Sequence, residues 1–179
     1  MKLKELFTEN FHGKPNRTWF PSLKNGIIDP IKNTSYLDYW NDDAKIDDVD
    51  IIDLHGCPKI VEGDLLISLC TRLTSLEGAP QEVKGNVKIN YCPKITSLGG
   101  IGQKYLTSIH GKLSISKTIT SDILGILKIQ NLTDVSLWAL GGNILQAINI
   151  INKHLHSGKN INKCRAELED AGLEEYAQL

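Results

Sequence analysis

The chain has 179 residues, of which 41% are hydrophobic and 23% are charged, so it can bury the core of one domain and does not have the composition of a disordered protein. Its 20 basic and 21 acidic residues give a formal net charge of -1. This balance excludes an acidic DNA mimic and a protein that binds nucleic acid through bulk positive charge.

Residues 1–50 are predicted to form an N-terminal cap, because they hold seven of the eleven aromatic residues. Large rings that pack on the first strand of a sheet would cover its open apolar end and its unpaired edge. The seven aromatic residues are Phe7, Phe11, Trp19, Phe20, Tyr36, Tyr39 and Trp40.

The first fourteen residues carry charges throughout and lack the apolar stretch of a secretory signal, and no run of about 18 apolar residues occurs. The four cysteines, Cys57, Cys70, Cys92 and Cys164, do not have the spacing of a CxxC pair or a zinc ribbon. We therefore expect a cytoplasmic protein with no membrane segment, no metal, no cofactor and four buried, reduced thiols.

An acidic run follows the aromatic segment. Residues 38–53 contain seven aspartates and one basic residue, Lys45, which gives a local charge of -6 within sixteen residues. The run lacks the ligand spacing and central glycine of an EF-hand. Two interpretations remain open: a solvated acidic edge, or a docking patch for a basic partner. The candidate docking residues are Asp42, Asp43, Asp47 and Asp48.

Internal repeats dominate residues 51–136. The string Cys57-Pro58-Lys59-Ile60 recurs at 92–95, and Leu73-Thr74-Ser75-Leu76 recurs at 95–98 and 106–109. Five strand-like copies are predicted to begin at residues 52, 65, 87, 113 and 127, with a glycine turn before three of them. Stacked short strands of this kind form a parallel β-solenoid over one continuous core.

Alternation within the copies predicts which side chains point inward. Val87, Ile89, Leu113 and Ile115 would face the core, and the polar residues between them would face solvent. The outward positions should align as a row, and such rows on solenoids are extended binding surfaces. The candidate binding residues in this row are His55, Ser68, Lys88, Asn90, Ser114, Ser116, Lys128 and Gln130, together with Asp53.

Residues 137–179 are predicted to form a helical C-terminal cap. Apolar residues recur at helical spacing from Ile144 to Leu155 after a candidate N-cap, Asn143, and a second helix is predicted from about Ile161 to Ala171. A partner-docking role for these two helices remains open. The whole chain is predicted to be one α/β domain.

Catalytic motifs are absent from the sequence: it contains no GxSxG, HExxH or Walker-type loop. Asp53, His55 and Cys57 could share one face of a strand, but the repeat pattern already accounts for His55 and Cys57. No catalytic residue is therefore assigned. The outward row has no aromatic ladder, so it does not favour stacking of single-stranded nucleic acid.

The strings at 74–80 (TSLEGAP) and 83–87 (VKGNV), with the C-terminal stretch at 151–173, resemble the leucine-rich-repeat-like accessory proteins of large tailed bacteriophages. The resemblance covers roughly residues 50–175. It implies a short, irregular leucine-rich-repeat-like solenoid. The cysteines stand three residues before the next Leu or Ile, not two as in the usual pattern, so no regular asparagine ladder is expected.

The favoured function is non-catalytic binding of a protein. The phage resemblance implies an accessory protein, made during infection, that engages or inhibits a host protein such as a defence component in the host cytoplasm. Two alternatives remain open: an enzyme whose active site lies in residues 1–50 with the repeats as scaffold, and a structural component of the virion.

Overall fold

The computed structural model describes residues 23–24, 27–28, 38–47, 50–116, 122–138 and 142–178. The first element is an antiparallel pair of two-residue strands, β1 (Leu23–Lys24) and β2 (Ile27–Ile28). Of the seven aromatic residues of the predicted cap, only Tyr39 and Trp40 are among the described residues, and both belong to the first coil of the fold.

The chain winds into a parallel β-solenoid of about four turns, and each coil contributes one strand to each of two parallel sheets. The first sheet contains β3 (Tyr39–Trp40), β5 (Ile60–Val61), β7 (Glu82–Val83) and β9 (Ser108–Ile109). The second, five-stranded sheet contains β4 (Ala44–Asp47), β6 (Leu65–Ser68), β8 (Val87–Asn90), β10 (Lys112–Ser116) and β11 (Asp134–Trp138). After each strand of the second sheet, a connecting segment leads back to the first sheet. This connecting segment forms the third side of the coil.

One hydrophobic core runs through all the coils. Alternation in the five-stranded sheet places Val87, Ile89, Leu113 and Ile115 inside, each at most 2% exposed, as the sequence predicts. The register stacks these residues in columns, because Leu65 pairs with Val87 and Val87 with Leu113. The predicted parallel β-solenoid is therefore confirmed.

A ladder of side chains joins the coils at the corner between the two sheets. The Asp43 Oδ1 accepts a hydrogen bond from the Asp64 N–H at 2.7 Å, the Asp64 Oδ1 accepts one from the Asn86 N–H at 2.7 Å, and the Asn86 Oδ1 accepts one from the Lys112 N–H at 3.0 Å. We call these residues the Asx ladder. The expectation that no regular asparagine ladder forms concerns the cysteine positions. Those positions follow the strands and lie at a different corner from the Asx ladder.

Glycines make the Asx ladder sterically possible. A Cβ on Gly85 would lie 2.2 Å from the Asp64 Oδ1, and one on Gly63 would lie 2.2 Å from the Asp43 Oδ1. Both distances are far below van der Waals contact, so a side chain here would displace the carboxylate that accepts the next coil's N–H. This is the physical reason for the Gly-Asp and Gly-Asn pairs that precede the strands.

The C-terminal part is helical, as predicted, with α1 (Gly142–His156) and α2 (Ile161–Asp170). Asn143 lies inside the first turn of α1, not at its N-cap as predicted. The Asn152 side chain of α1 accepts from the Val135 N–H at 3.0 Å and donates to the Val135 carbonyl at 2.8 Å. In a parallel sheet both groups of Val135 point toward the position of a next strand, so Asn152 pairs with the outer edge of β11.

The repeats extend beyond the predicted range of 51–136 at both ends. Strand β4 precedes residue 51, and β11 continues to Trp138. The predicted strands at 52–57 and 127–132 are wrong, because residues 52–57 lie in a connecting segment and a 3₁₀ helix (Ile123–Lys128) occupies the start of the other. The three central strands of the five-stranded sheet start at or within one residue of the predicted positions, whereas the first starts at Ala44 instead of residue 52 and the last at Asp134 instead of residue 127.

Replacing Asn152 with Ala should destabilise the protein by about 1–3 kcal/mol, because the N–H and carbonyl of Val135 lose their partner at a half-buried edge. Urea unfolding measures the loss, and hydrogen exchange should show faster exchange of the Val135 amide. Asn149→Ala is the matched control, since Asn149 is exposed on the same helix. Equal stability of the two variants would contradict this role.

Candidate functional site

The outer face of the five-stranded sheet carries the largest group of predicted binding residues. The register aligns Lys45, Leu66, Lys88, Ser114 and Ser136 in one outward row. A second row contains Asp47, Ser68, Asn90 and Ser116. We call these two rows, together with Tyr91 directly after β8, the sheet face. It brings together Asp47, Ser68, Lys88, Asn90, Ser114 and Ser116 of the predicted set.

Two shallow grooves lie along the sheet face. The first, of about 540 Å³, runs beside the Asx ladder and is lined by Lys45, Leu66, Lys88 and Lys112 among others. The second, of about 470 Å³, lies at the carboxyl ends of the strands and is lined by Asn90, Tyr91, Ser116 and Ser136, with Lys88 and Ser114 common to both grooves. Lys88 therefore stands between two concavities near the centre of the sheet.

Lys88 and Tyr91 are the most accessible groups of the sheet face. The Lys88 side chain is exposed, and no described residue forms an ion pair or a hydrogen bond with it. Tyr91 is 68% exposed, and its backbone is held in a left-handed conformation (φ 50°) with its N–H donated to the Ser116 Oγ at 3.1 Å. Leu69 occupies the same corner of the preceding coil and is 46% exposed. Exposed aromatic groups are enriched in protein-binding surfaces, where polar residues form the rim around them.

Hydrogen bonds fix the polar residues around these two groups. The Ser114 and Ser136 hydroxyls lie 2.8 Å apart, and the Ser68 hydroxyl donates to the Asp47 carboxylate. Lys45 lies 2.9 Å from the other Asp47 oxygen. The hydrogen bond from Ser68, followed by that from Lys45, lowers the pKa of Asp47 below its ordinary value. Asp47 is thus an anion held by two neighbours in the sheet.

The predicted acidic patch is spread over different parts of the coil. Asp38 lies 2.8 Å from Lys59, and Asp50 lies 3.0 Å from Arg72, because a period of 21 or 22 residues places each cation on the next coil. Asp43 is part of the Asx ladder, and the Asp42 Oδ1 accepts from the Asp43 N–H at 2.9 Å. Asp48 lies outside the described residues. The acidic residues therefore have local structural partners.

The remaining predicted residues, His55, Lys128 and Gln130, do not lie on the sheet face, so their predicted alignment with Lys88 is wrong. His55 belongs to a connecting segment, where the Asp53 Oδ1 accepts from the His55 N–H. Lys128 ends the 3₁₀ helix, and Gln130 forms a bridge with Ser108 in the first sheet.

The true equivalents of residues 52–56 are residues 74–78 and 96–100, at offsets of 22. Ser75 accepts from the Glu77 N–H, and Ser97 from the Gly99 N–H, in the same way that Asp53 accepts from the His55 N–H. Gly56, Gly78 and Gly100 all have positive φ. This repeated turn was available in the sequence as the pattern Asp/Ser-Leu-x-Gly, and it distinguishes the connecting segment from a strand.

The cysteines are buried and form no disulfide, as expected. Burial raises the pKa of Cys57, and Asp53 raises it further; burial, followed by Glu167, raises the pKa of Cys164 to about 11. Cys70 and Cys92 occupy equivalent corners of adjacent coils, and a hydrogen bond from Cys70 lowers the pKa of Cys92. Cys57 and Cys164 are thus protonated at neutral pH.

Comparison of the chain with protein-family models, with curated proteins and with solved structures gave no match. In the part of the chain that the structure describes, no helix is both long enough and apolar enough to cross a membrane. Over the same residues, no group of three or more His, Cys, Asp or Glu side chains is arranged to hold a metal ion.

Replacing Ser68 with Ala should raise the pKa of Asp47, because the largest cause of its lowered value is the hydrogen bond from Ser68. Lys45→Met should also raise it, because Lys45 lowers the pKa of Asp47 through both a hydrogen bond and its charge. A group with a lowered folded-state pKa stabilises the fold above its unfolded pKa and loses that contribution as the pH falls through the folded value. Titration of the Asp47 carboxyl carbon by NMR measures both shifts, and an unchanged midpoint in Ser68→Ala would refute the assignment.

Proposed function

We propose that this chain is a non-catalytic module that binds a protein through its sheet face. The observation that carries the proposal is the position of Lys88, an unpaired cation among the described residues, between two grooves and close to the exposed Tyr91. Tyrosine is enriched among the residues that carry most of the binding energy in protein interfaces, and a nearby charge contributes to specificity and association rate. The hydroxyl and amide groups around them offer hydrogen bonds to a polar partner.

The rigidity of the sheet face favours binding further. Its backbone is held on both sides by neighbouring strands, except at β4 and β11, so the side chains are presented with little loss of entropy on association. The grooves are shallow, which suits a protein surface better than an enclosed small molecule. The Ser68 hydroxyl contacts the Asp47 carboxylate on this face, but Ser68 is buried and the lowered pKa of Asp47 makes that carboxylate a weak base, so the pair does not favour catalysis.

The resemblance of the repeats to phage proteins extends the proposal to a biological role. We infer an accessory protein of a large tailed bacteriophage that engages a host protein in the cytoplasm and takes over or inhibits its activity, with a defence component as one such target. This inference rests on the strings at 74–80 and 83–87 and on the C-terminal stretch. The rival enzyme hypothesis concerns residues 1–50, of which the structure describes 23–24, 27–28, 38–47 and residue 50.

The proposal predicts that a partner captured from bacterial lysate by the tagged protein is lost when the sheet face is altered. Lys88→Glu reverses the central charge and Tyr91→Ala removes the exposed ring, and each should weaken binding of the captured protein at least about tenfold. Titration of the purified partner by calorimetry measures the effect.

The matched controls are Lys94→Glu and Tyr39→Ala, since both residues are exposed elsewhere on the solenoid. They should bind as the unaltered protein does. Equal binding by Lys88→Glu, Tyr91→Ala and both controls would show that the partner uses another surface, and the proposed site would be abandoned.

A further inference from the structure

A cleft of about 640 Å³ lies on the third side of the solenoid, away from the sheet face. Three successive connecting segments contribute to it: Glu77 and Gly78 from the first, Gly99, Gly100 and Tyr105 from the second, and Asp122 from the third. None of its lining residues lines either groove of the sheet face. A volume of this size fits an amino-acid side chain or a small ligand.

An insertion in one coil shapes this cleft. The register offsets along the five-stranded sheet are 21, 22, 26 and 22 residues, so the coil between Val87 and Leu113 has four more residues than its neighbours. The extra residues form a tight turn in which the Gly102 N–H donates to the Tyr105 carbonyl at 3.0 Å and Ile101 bridges to Tyr105. This turn brings the Tyr105 ring to the cleft.

The hydroxyl of Tyr105 has no hydrogen-bond partner among the described residues. Tyr105 is only 8% exposed, and its Oη packs against Gly100, where a Cβ would lie 2.9 Å away. A buried tyrosine hydroxyl almost always has a partner, because removing it from water without one costs about 1–3 kcal/mol. The missing partner in a cleft of suitable size points to a ligand.

The charges around Tyr105 indicate the sign of that ligand. Glu77 and Asp122 both act on the phenol, and after burial they raise its pKa, so the hydroxyl lies in a negative potential and keeps its proton. The Ser97 hydroxyl donates to Asp122 and orients its carboxylate. Gly99 takes the place that Glu77 has in the preceding coil, and a Cβ there would lie 3.7 Å from the Asp122 Oδ2.

We propose that this cleft binds the guanidinium group of an arginine, with Glu77 and Asp122 as its anionic partners and the Tyr105 oxygen as an acceptor for one of its N–H groups. A planar cation with five donors can contact carboxylate and hydroxyl oxygens at the same time. Lys104 at the same cleft would add a contact to the carboxylate of free arginine but not to an arginine within a peptide. The inference does not depend on the proposed binding through the sheet face.

The test is an NMR titration of the ¹⁵N-labelled full chain with Nα-acetyl-arginine amide. We expect saturable shifts around Tyr105 with a millimolar dissociation constant. Nα-acetyl-citrulline amide, which has the same length but no charge, should bind at least about tenfold more weakly, as expected when a charge-assisted hydrogen bond is lost.

Three variants separate the contributions. Tyr105→Phe keeps the ring and should weaken binding about fivefold through loss of one hydrogen bond, and Glu77→Gln should weaken it about tenfold. Glu62→Gln, an exposed change outside the cleft, is the control and should have no effect. Absence of saturable shifts, equal binding of the citrulline compound, or equal binding by Tyr105→Phe and Glu77→Gln would overturn the proposal.

Free arginine distinguishes the two sources of the guanidinium. Tighter binding of free arginine than of the amide, lost in Lys104→Met, would identify the amino acid itself as the ligand. Equal binding of the two compounds would identify an arginine side chain of a peptide or protein. Either result supports a guanidinium site, and neither bears on the sheet face.

Discussion

The solenoid depends on the satisfaction of backbone groups at the corner between its two sheets. At this corner the chain changes direction, and the amides of Asp64, Asn86 and Lys112 need an acceptor in three successive coils. The Asx ladder gives each of these amides an acceptor from the preceding coil, at 2.7–3.0 Å. Because each carboxylate or amide can reach only the next coil, the ladder also fixes the distance and register between coils.

The same requirement appears at the C-terminal end. A last strand leaves N–H and carbonyl groups without a neighbouring strand, and such an edge can pair with another chain. The amide of Asn152 takes the place of that strand at Val135, and the Lys159 Nζ donates to the Ile129 carbonyl at 2.5 Å. The two contacts explain how a helical segment ends a β-solenoid without a further coil. Burial lowers the pKa of Lys159, which is consistent with its position against this end of the core.

The sequence predicts the central coils well, because Leu65, Val87 and Leu113 start strands with clear alternation after a glycine turn. It misses β4 and β11, because the sequence around these two strands lacks the near-identical strings that mark the central coils. It also predicts a strand at Asp53 and His55, because Asp-Leu-His has the polar-apolar-polar alternation of a strand. The positive φ of Gly56 makes this segment a turn instead. The strands of the first sheet have only two residues each, so they are too short for a hydrophobic period to show. The Tyr105 cleft could not be predicted, because it depends on how three distant loops stack.

The most direct test of this account is hydrogen exchange of the Asn86 amide in the unaltered chain and in Asp64→Ala. The account predicts a protected amide in an exposed corner, and loss of that protection when the Asp64 carboxylate is removed. The Asn90 amide, which lies within β8, should stay protected in both proteins and so reports that the sheet is intact. Fast exchange of the Asn86 amide in the unaltered chain, or unchanged protection of this amide in Asp64→Ala, would contradict the claim that the Asx ladder fixes the distance and register between coils.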